Sequence, residues 1–314
     1  MVRNKHLALV GVLLTYFLIV FGGYVASSNS GMGCGPEWPM CNGEVIPVLK
    51  GDTLIEYLHR VIGATLGLLS VLLFFTLIRK KTGRRVHQVA FAMLGLLVIQ
   101  VLLGAVVVVL DLPSIVISVH LIIAMLFLFC LIWIWRYLEL GEQRNKAFLT
   151  EGNQRSVIRH LNMLLILLLC TMAFGAYIKH QTYGLACGWL GCGQTIYPTT
   201  IPELLQTIHR GLAVVSTLYI ILLTFWSFTK GWGRNIQKRL ILCTLSVIIQ
   251  IIIGAVVVMT FLDLSWAVFH LVIGTGLFAL VSETRVYAGN ALMKSNKSIA
   301  PNRSWHNGRR SLEE

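Results

Sequence analysis

The chain has 314 residues, of which 56% are hydrophobic and only 12% charged, a balance that excludes an ordinary soluble domain, which would carry about twice that charged fraction. Its net charge of +13 does not argue for a nucleic-acid partner, because the basic residues fall into separate loops between long apolar runs. Eight such runs have transmembrane length, near 7–26, 53–78, 89–110, 115–136, 159–178, 203–228, 240–261 and 265–285.

The first run, Leu7–Ala26, is longer than the apolar segment of a typical signal peptide, so it is read as a retained helix. A cysteine-containing loop follows, with Cys34 and Cys41 enclosing Gly-Pro-Glu-Trp-Pro-Met. The second run carries Glu56, His59 and Arg60. Glu56 precedes His59 by three residues, which puts both on one helix face. The third run holds Gln100-Val-Leu-Leu-Gly-Ala-Val-Val-Val, and the fourth carries His120.

A polar, charged connection at 137–158 separates this half from a second that repeats it. Cys187 and Cys192 enclose Gly-Trp-Leu-Gly, His209-Arg210 matches His59-Arg60, and His270 matches His120. Gln250-Ile-Ile-Ile-Gly-Ala-Val-Val-Val matches the third run, and both histidine matches share its offset of 150 residues. The expected architecture is all-α and integral to the membrane: eight transmembrane helices in two tandem four-helix bundles. Four helices per half is an even number, so the bundles would be related by a pseudo-twofold axis along the membrane normal. The expected units are 1–136, the linker 137–158, a second bundle at 159–286 and a polar tail at 287–314, read as disordered.

Placing both termini in the cytoplasm puts 22 of the 26 basic residues on that side, the positive-inside bias. Attraction to anionic membrane lipid then accounts for the basic loops, with no nucleic acid required. The cysteine loops fall outside, where disulfides persist, giving Cys34 with Cys41 and Cys187 with Cys192. They serve either as structural staples or as exchange partners in redox chemistry.

Histidine inside a membrane is costly, and four at matched positions form a candidate site. His59, His120, His209 and His270 all lie about two turns from the outer end of their helices, roughly 10 Å deep. Zinc would want four ligands, often with Cys, but the cysteines lie in the loops. A haem needs only one or two axial groups and an apolar slot between helices, so two bis-histidine haem sites are expected. Gln206 stands where the first half has Glu56. That asymmetry places acid/base or charge-stabilising chemistry in the first half and a permanent cofactor in the second. Arg60 and Arg210 could reach haem propionates or lipid headgroups. The Gly63-x-x-x-Gly67 spacing suits close helix packing. His6, His87, His160, His180 and His306 are read as surface residues, and Cys130, Cys170 and Cys243 as packing residues in the membrane.

With these motifs together, nearly the whole chain resembles the bacterial haem A synthases, in particular the cysteine-containing form of Bacillus-type bacteria. The residues that carry the resemblance are Gly22-Gly23…Gly33-Cys34-Gly35…Trp38-Pro39-Met40-Cys41, Glu56-Tyr-Leu-His59-Arg60, His120, His209-Arg210 and His270. The resemblance implies a cell-membrane oxidoreductase that converts a ring methyl of haem O to the formyl group of haem A. It implies a substrate site around Glu56, His59 and His120, and a haem b cofactor between His209 and His270. Pathway logic adds a partner, the farnesyltransferase that makes haem O. The rival reading is a two-haem cytochrome b-type electron carrier. The shared depth of the four histidines counts against it, because a wire across the bilayer stacks its haems at two depths.

Overall fold

A computed structural model describes residues 2–80, 83–142, 151–188, 191–192 and 198–298. The eight long helices are α1 (Val2–Ser27), α2 (Gly51–Ile78), α3 (Arg84–Val109), α4 (Ser114–Glu142), α5 (Glu151–His180), α6 (Ile201–Thr229), α7 (Arg234–Met259) and α8 (Leu264–Ser298). All eight are long and apolar enough to cross a membrane, which lets each satisfy its own backbone polar groups there. There is no named strand among the described residues, only one isolated bridge between Cys41 and Glu44.

The helices run beyond the apolar segments read from sequence. α4 continues to Glu142 and α5 begins at Glu151, so most of the expected linker at 137–158 is helical, and 143–150 lie outside the described residues. α8 continues through Ser298 into the stretch expected to be a polar tail. The physical reason is that Leu, Glu, Gln, Arg, Met and Lys are good helix formers, so a helix need not stop where the apolar stretch ends.

Within the first half, α1 packs on α2 and α4, and α3 packs on α2 and α4. The second half repeats this, with α5 on α6 and α8, and α7 on α6 and α8. Between the halves, α1 meets α8, and α4 meets both α5 and α8. The buried core lies at this junction and includes Ala8 of α1, Leu128 and Leu131 of α4, Leu161 and Leu164 of α5, and Val281 of α8. Buried stripes also repeat: Val86, Ala90, Met93 and Leu97 of α3 correspond to Ile236, Leu240, Cys243 and Val247 of α7. The four-three-four spacing is one face of a helix.

Lipid supplies little hydrophobic drive between helices, so polar contacts across the junction matter. Tyr16 Oη donates to the Val272 carbonyl at 2.7 Å, and Lys179 Nζ of α5 donates to Ser27 Oγ and the Gly23 carbonyl of α1. At the opposite end, Glu283 of α8 accepts from Arg239 of α7 through both carboxylate oxygens, at 2.6 and 3.1 Å. Arg136 of α4 reaches the same carboxylate at 2.8 Å, joining the two halves.

Glu283→Ala leaves two mostly buried guanidinium groups without this carboxylate. Removing one partner of a buried ion pair costs about 3–5 kcal/mol, and partial exposure here brings the expected loss to about 2 kcal/mol. Thermal unfolding of the purified protein in detergent checks this; an unchanged midpoint would contradict it.

Candidate functional site: paired histidines and cysteine loops

The histidine-bearing helices lie across the diagonal of each ring: α2 and α4 in the first half, α6 and α8 in the second. The helices between them each bring a glycine to one imidazole. A Cβ on Gly22 of α1 would lie 2.9 Å from His59 Nε2, and one on Gly175 of α5 would lie 2.8 Å from His209 Cε1. A Cβ on Gly104 of α3 would lie 3.4 Å from His120 Cε1, and one on Gly254 of α7 would lie 3.0 Å from His270 Cε1. Four imidazoles therefore rest against helix backbone bared by glycine.

His209 Nδ1 lies 2.9 Å from the Thr171 carbonyl oxygen, one turn before Gly175. A carbonyl only accepts, so Nδ1 carries the proton and the lone pair sits on Nε2. That is the tautomer an axial ligand needs. His59 is turned differently on its glycine: its Nε2, not its Nδ1, is the ring atom nearest α1 at Gly22. The two rings of α4 and α8 each meet a glutamine amide. Gln100 Nε2 lies 3.0 Å from His120 Nε2, and Gln250 Nε2 lies 3.2 Å from His270 Nε2. His120 Nδ1 and His270 Nδ1 are buried with no hydrogen-bond partner among the described residues.

This donor set fits haem iron and not a bare metal ion. Among the described residues no three His, Cys, Asp or Glu side chains gather as a metal site. Two half-buried imidazoles on opposed helices, one with its outer nitrogen on a backbone carbonyl, are the kind of donors that a bis-histidine haem would take.

Beyond the histidines, each half clamps a cysteine loop on the start of its second helix. A short 3-10 turn, Ser30–Met32 or Tyr183–Leu185, precedes the first cysteine. The turn's glycine, Gly31 or Gly184, packs on Leu112 or Leu262 of the facing tight turn. The Cys34 amide donates to Glu56 Oε2 at 2.8 Å, and the Cys187 amide donates to Gln206 Oε1 at 2.6 Å. Glu56 and Gln206 are buried and occupy equivalent stations. Their remaining bonds differ. Glu56 Oε1 takes Arg60 Nη2 at 2.5 Å and Nε at 3.1 Å, whereas the Gln206 amide donates to the Gly184 carbonyl at 2.7 Å. Arg60 also donates to the Met40 carbonyl at 2.8 Å, tying the loop to α2. Cys34–Cys41 and Cys187–Cys192 are both at disulfide-bonding distance.

Several expectations change. Arg60 is engaged by Glu56 and the loop rather than facing lipid headgroups. A Cβ on Gly67 would meet nothing within 4 Å, and one on Gly63 would meet only Leu18 at 3.8 Å, so this pair does not form a close helix crossing. Cys170 is exposed on its helix rather than packed. His160 is not a free surface residue: its Nδ1 lies 2.8 Å from Tyr219 Oη, and its ring lies against Trp226. Sequence reasoning missed Gly22, Gly175, Gln100 and Gln250 as neighbours of the imidazoles. For α1 and α5 the signal is a second offset: Gly22-Gly-Tyr and Cys34 match Gly175-Ala-Tyr and Cys187 at 153, not 150.

A family model described as COX15-CtaA, cytochrome oxidase assembly protein, matches residues 5–52 and 48–282. A haem A synthase of Staphylococcus haemolyticus (strain JCSC1435) is 31% identical over 288 residues, covering 89% of this chain and 93% of that protein. A haem A synthase of Bacillus licheniformis is 29% identical over 299 residues, covering 88% and 94%. One from Exiguobacterium sp. is 29% identical over 265 residues, covering 82% and 84%.

Two tests follow from the geometry. Gly175→Ala drives a methyl into His209 and is expected to destabilise the protein by about 1–3 kcal/mol, the usual cost of overpacking. Gly67→Ala meets open space and should be neutral or stabilising, by at most about 1 kcal/mol, because alanine favours the helix. Equal effects of the two substitutions in thermal unfolding would contradict the glycine–imidazole contact. Peptide mapping without reductant is expected to return Cys34 linked to Cys41 and Cys187 linked to Cys192; four free thiols in protein prepared under oxidising conditions would rule the pairing out.

Proposed function

The chain belongs to the COX15-CtaA family of cytochrome oxidase assembly proteins, and from that premise we propose that it is a haem A synthase, an oxidoreductase of the cell membrane that converts haem O to haem A. The observation that carries the reading is a matched pair of diagonal bis-histidine stations, differing by one carboxylate, in a chain aligned with its relatives over most of its length.

The division of labour follows from that difference. His59 and His120 hold the substrate haem O through its iron in the first half. His209 and His270 hold a haem b in the second, which supplies an electron path for the oxidation. The Thr171 carbonyl orients His209, and the glycines at 22, 104, 175 and 254 let the rings seat against helix backbone.

Conversion of a methyl to a formyl group is a four-electron oxidation: written with water as the oxygen source, RCH3 and H2O give RCHO, four protons and four electrons, and the electrons leave to an external electron acceptor. Positive charge develops at the reacting carbon, and a fixed negative group nearby stabilises it. Glu56 is that group, one turn from His59 on the same helix. Its bonds to Arg60 and to the Cys34 amide fix where its charge sits, so little reorganisation accompanies the reaction. Gln206 offers the same hydrogen-bond acceptor without the charge.

In this reading the two bundles are related by a pseudo-twofold axis along the membrane normal. Reciprocal contacts of α1 with α8 and α4 with α5 support it. The cysteine loops face outward and both termini lie in the cytoplasm, in keeping with the basic loops at 79–85 and 230–239. Haem O is delivered from the farnesyltransferase that makes it.

Glu56→Gln tests the assignment. An amide accepts the cysteine N–H bond in the second half, so the variant should fold and keep its haem b, while haem A formation falls about 10²-fold or more. The readout is the ratio of haem O to haem A in membranes at matched protein level; wild-type conversion would return Glu56 to a purely structural role. His209→Ala or His270→Ala is expected to abolish the low-spin haem b spectrum, and its persistence would refute those ligands.

A further inference from the structure

The contact between Gln100 and His120 joins two nitrogens, 3.0 Å apart. An amide nitrogen has no lone pair to give, so Gln100 donates and His120 Nε2 accepts. The ring proton is thereby placed on Nδ1, which is the iron-ready tautomer. The bond uses the very lone pair that iron would take. The other nitrogen does not offer a better route: His120 Nδ1 is buried, and its ring rests on α3 at Gly104, one turn after Gln100. The second half shows the same geometry, with a longer amide contact of 3.2 Å and a closer glycine. A Cβ on Gly254 would lie 3.4 Å from His270 Nδ1 and 4.0 Å from Nε2, so Nδ1 faces the α7 backbone and Nε2 faces Gln250.

We propose that Gln100 is a positioning residue that holds His120 in the iron-ready tautomer and competes with the haem iron for its Nε2. This rests on the assignment of His120 as an axial ligand of the substrate haem. Gln250 makes the same contact with His270, so the competition operates in both halves and bears on exchange in the first, whose haem enters as substrate and leaves as product. A ligand that is recaptured by a neighbouring amide costs less to release than one left with a buried, unsatisfied lone pair. Binding substrate and product very tightly would slow exchange without speeding the chemistry.

The sign of one substitution separates this role from a structural one. If Gln100 only propped the ring in place, removing it would weaken haem binding. If it competes, removing it strengthens binding. Gln100→Leu is close in size and apolar, as suits a membrane helix. Purified protein carrying its haem b is titrated with hemin, and occupancy of the first half is followed by Soret absorbance and by the low-spin bis-histidine signature. Gln100→Leu is expected to bind hemin roughly fivefold more tightly than the parent and to release it to apomyoglobin correspondingly more slowly, the factor carried by one neutral hydrogen bond of ordinary strength. Gln100→Asn keeps the amide but is too short to reach the ring, and should shift affinity in the same direction; it serves where the leucine variant does not fold. Unchanged or weaker binding in the folded variants overturns the proposal. His120→Ala runs alongside: weakened binding with loss of the bis-histidine signature upholds the ligand assignment, and unchanged binding removes it, and with it the ground on which the competition stands.

Discussion

The paired histidines depend on an imidazole edge resting against helix backbone bared by glycine. A side chain at Gly22, Gly104, Gly175 or Gly254 would occupy the ring's place or crowd it. The Thr171 carbonyl, one turn before Gly175, accepts from His209, and the amides of Gln100 and Gln250 meet His120 and His270. Two constraints are met at once. The histidines are oriented by groups that a membrane helix already carries, and the polar cost of an imidazole in an apolar medium is offset locally. The helices between the histidine-bearing ones, α1, α3, α5 and α7, thus hold the rings in place.

The duplication turns this shared design into a comparison within one molecule. Both halves clamp a cysteine amide onto the second helix with the side-chain oxygen four residues before an arginine, Glu56 before Arg60 and Gln206 before Arg210. Only the first half adds a full ion pair, whereas Arg210 reaches no closer than 3.5 Å to the Cys187 carbonyl. An amide that accepts from the cysteine N–H and donates to the Gly184 carbonyl holds the loop in the second half. The first half replaces it with a carboxylate whose negative charge is paired with Arg60.

The helices and the four histidines are legible in the sequence because transmembrane length and intramembrane polarity are local properties. The repeat at 150 residues finds α2–α4 and α6–α8. It does not register α1 on α5, because the segment from Cys34 to His59 is three residues longer than that from Cys187 to His209; these helices align at 153. The partners of the imidazoles were hidden for a related reason. Gly22 meets His59 and Gln100 meets His120 across helix interfaces, and no spacing along one helix reports such a contact. The Glu56–Arg60 pair, in contrast, has the i,i+4 spacing of a helical ion pair and could have been read directly. The helical extensions at Glu142, Glu151 and Ser298 escaped a reading based on apolar runs, because helix propensity does not stop where hydrophobicity does.

The proposed division gives the two halves different work on matched pairs of histidines. The most direct measurement is the pigment content of two double variants, expressed with a source of haem O and extracted into acidified solvent. His59→Ala with His120→Ala should retain haem b and contain neither haem O nor haem A. His209→Ala with His270→Ala should lack haem b and hold haem O that is not converted. Loss of haem b from the first variant, or haem A formed by the second, would contradict the division.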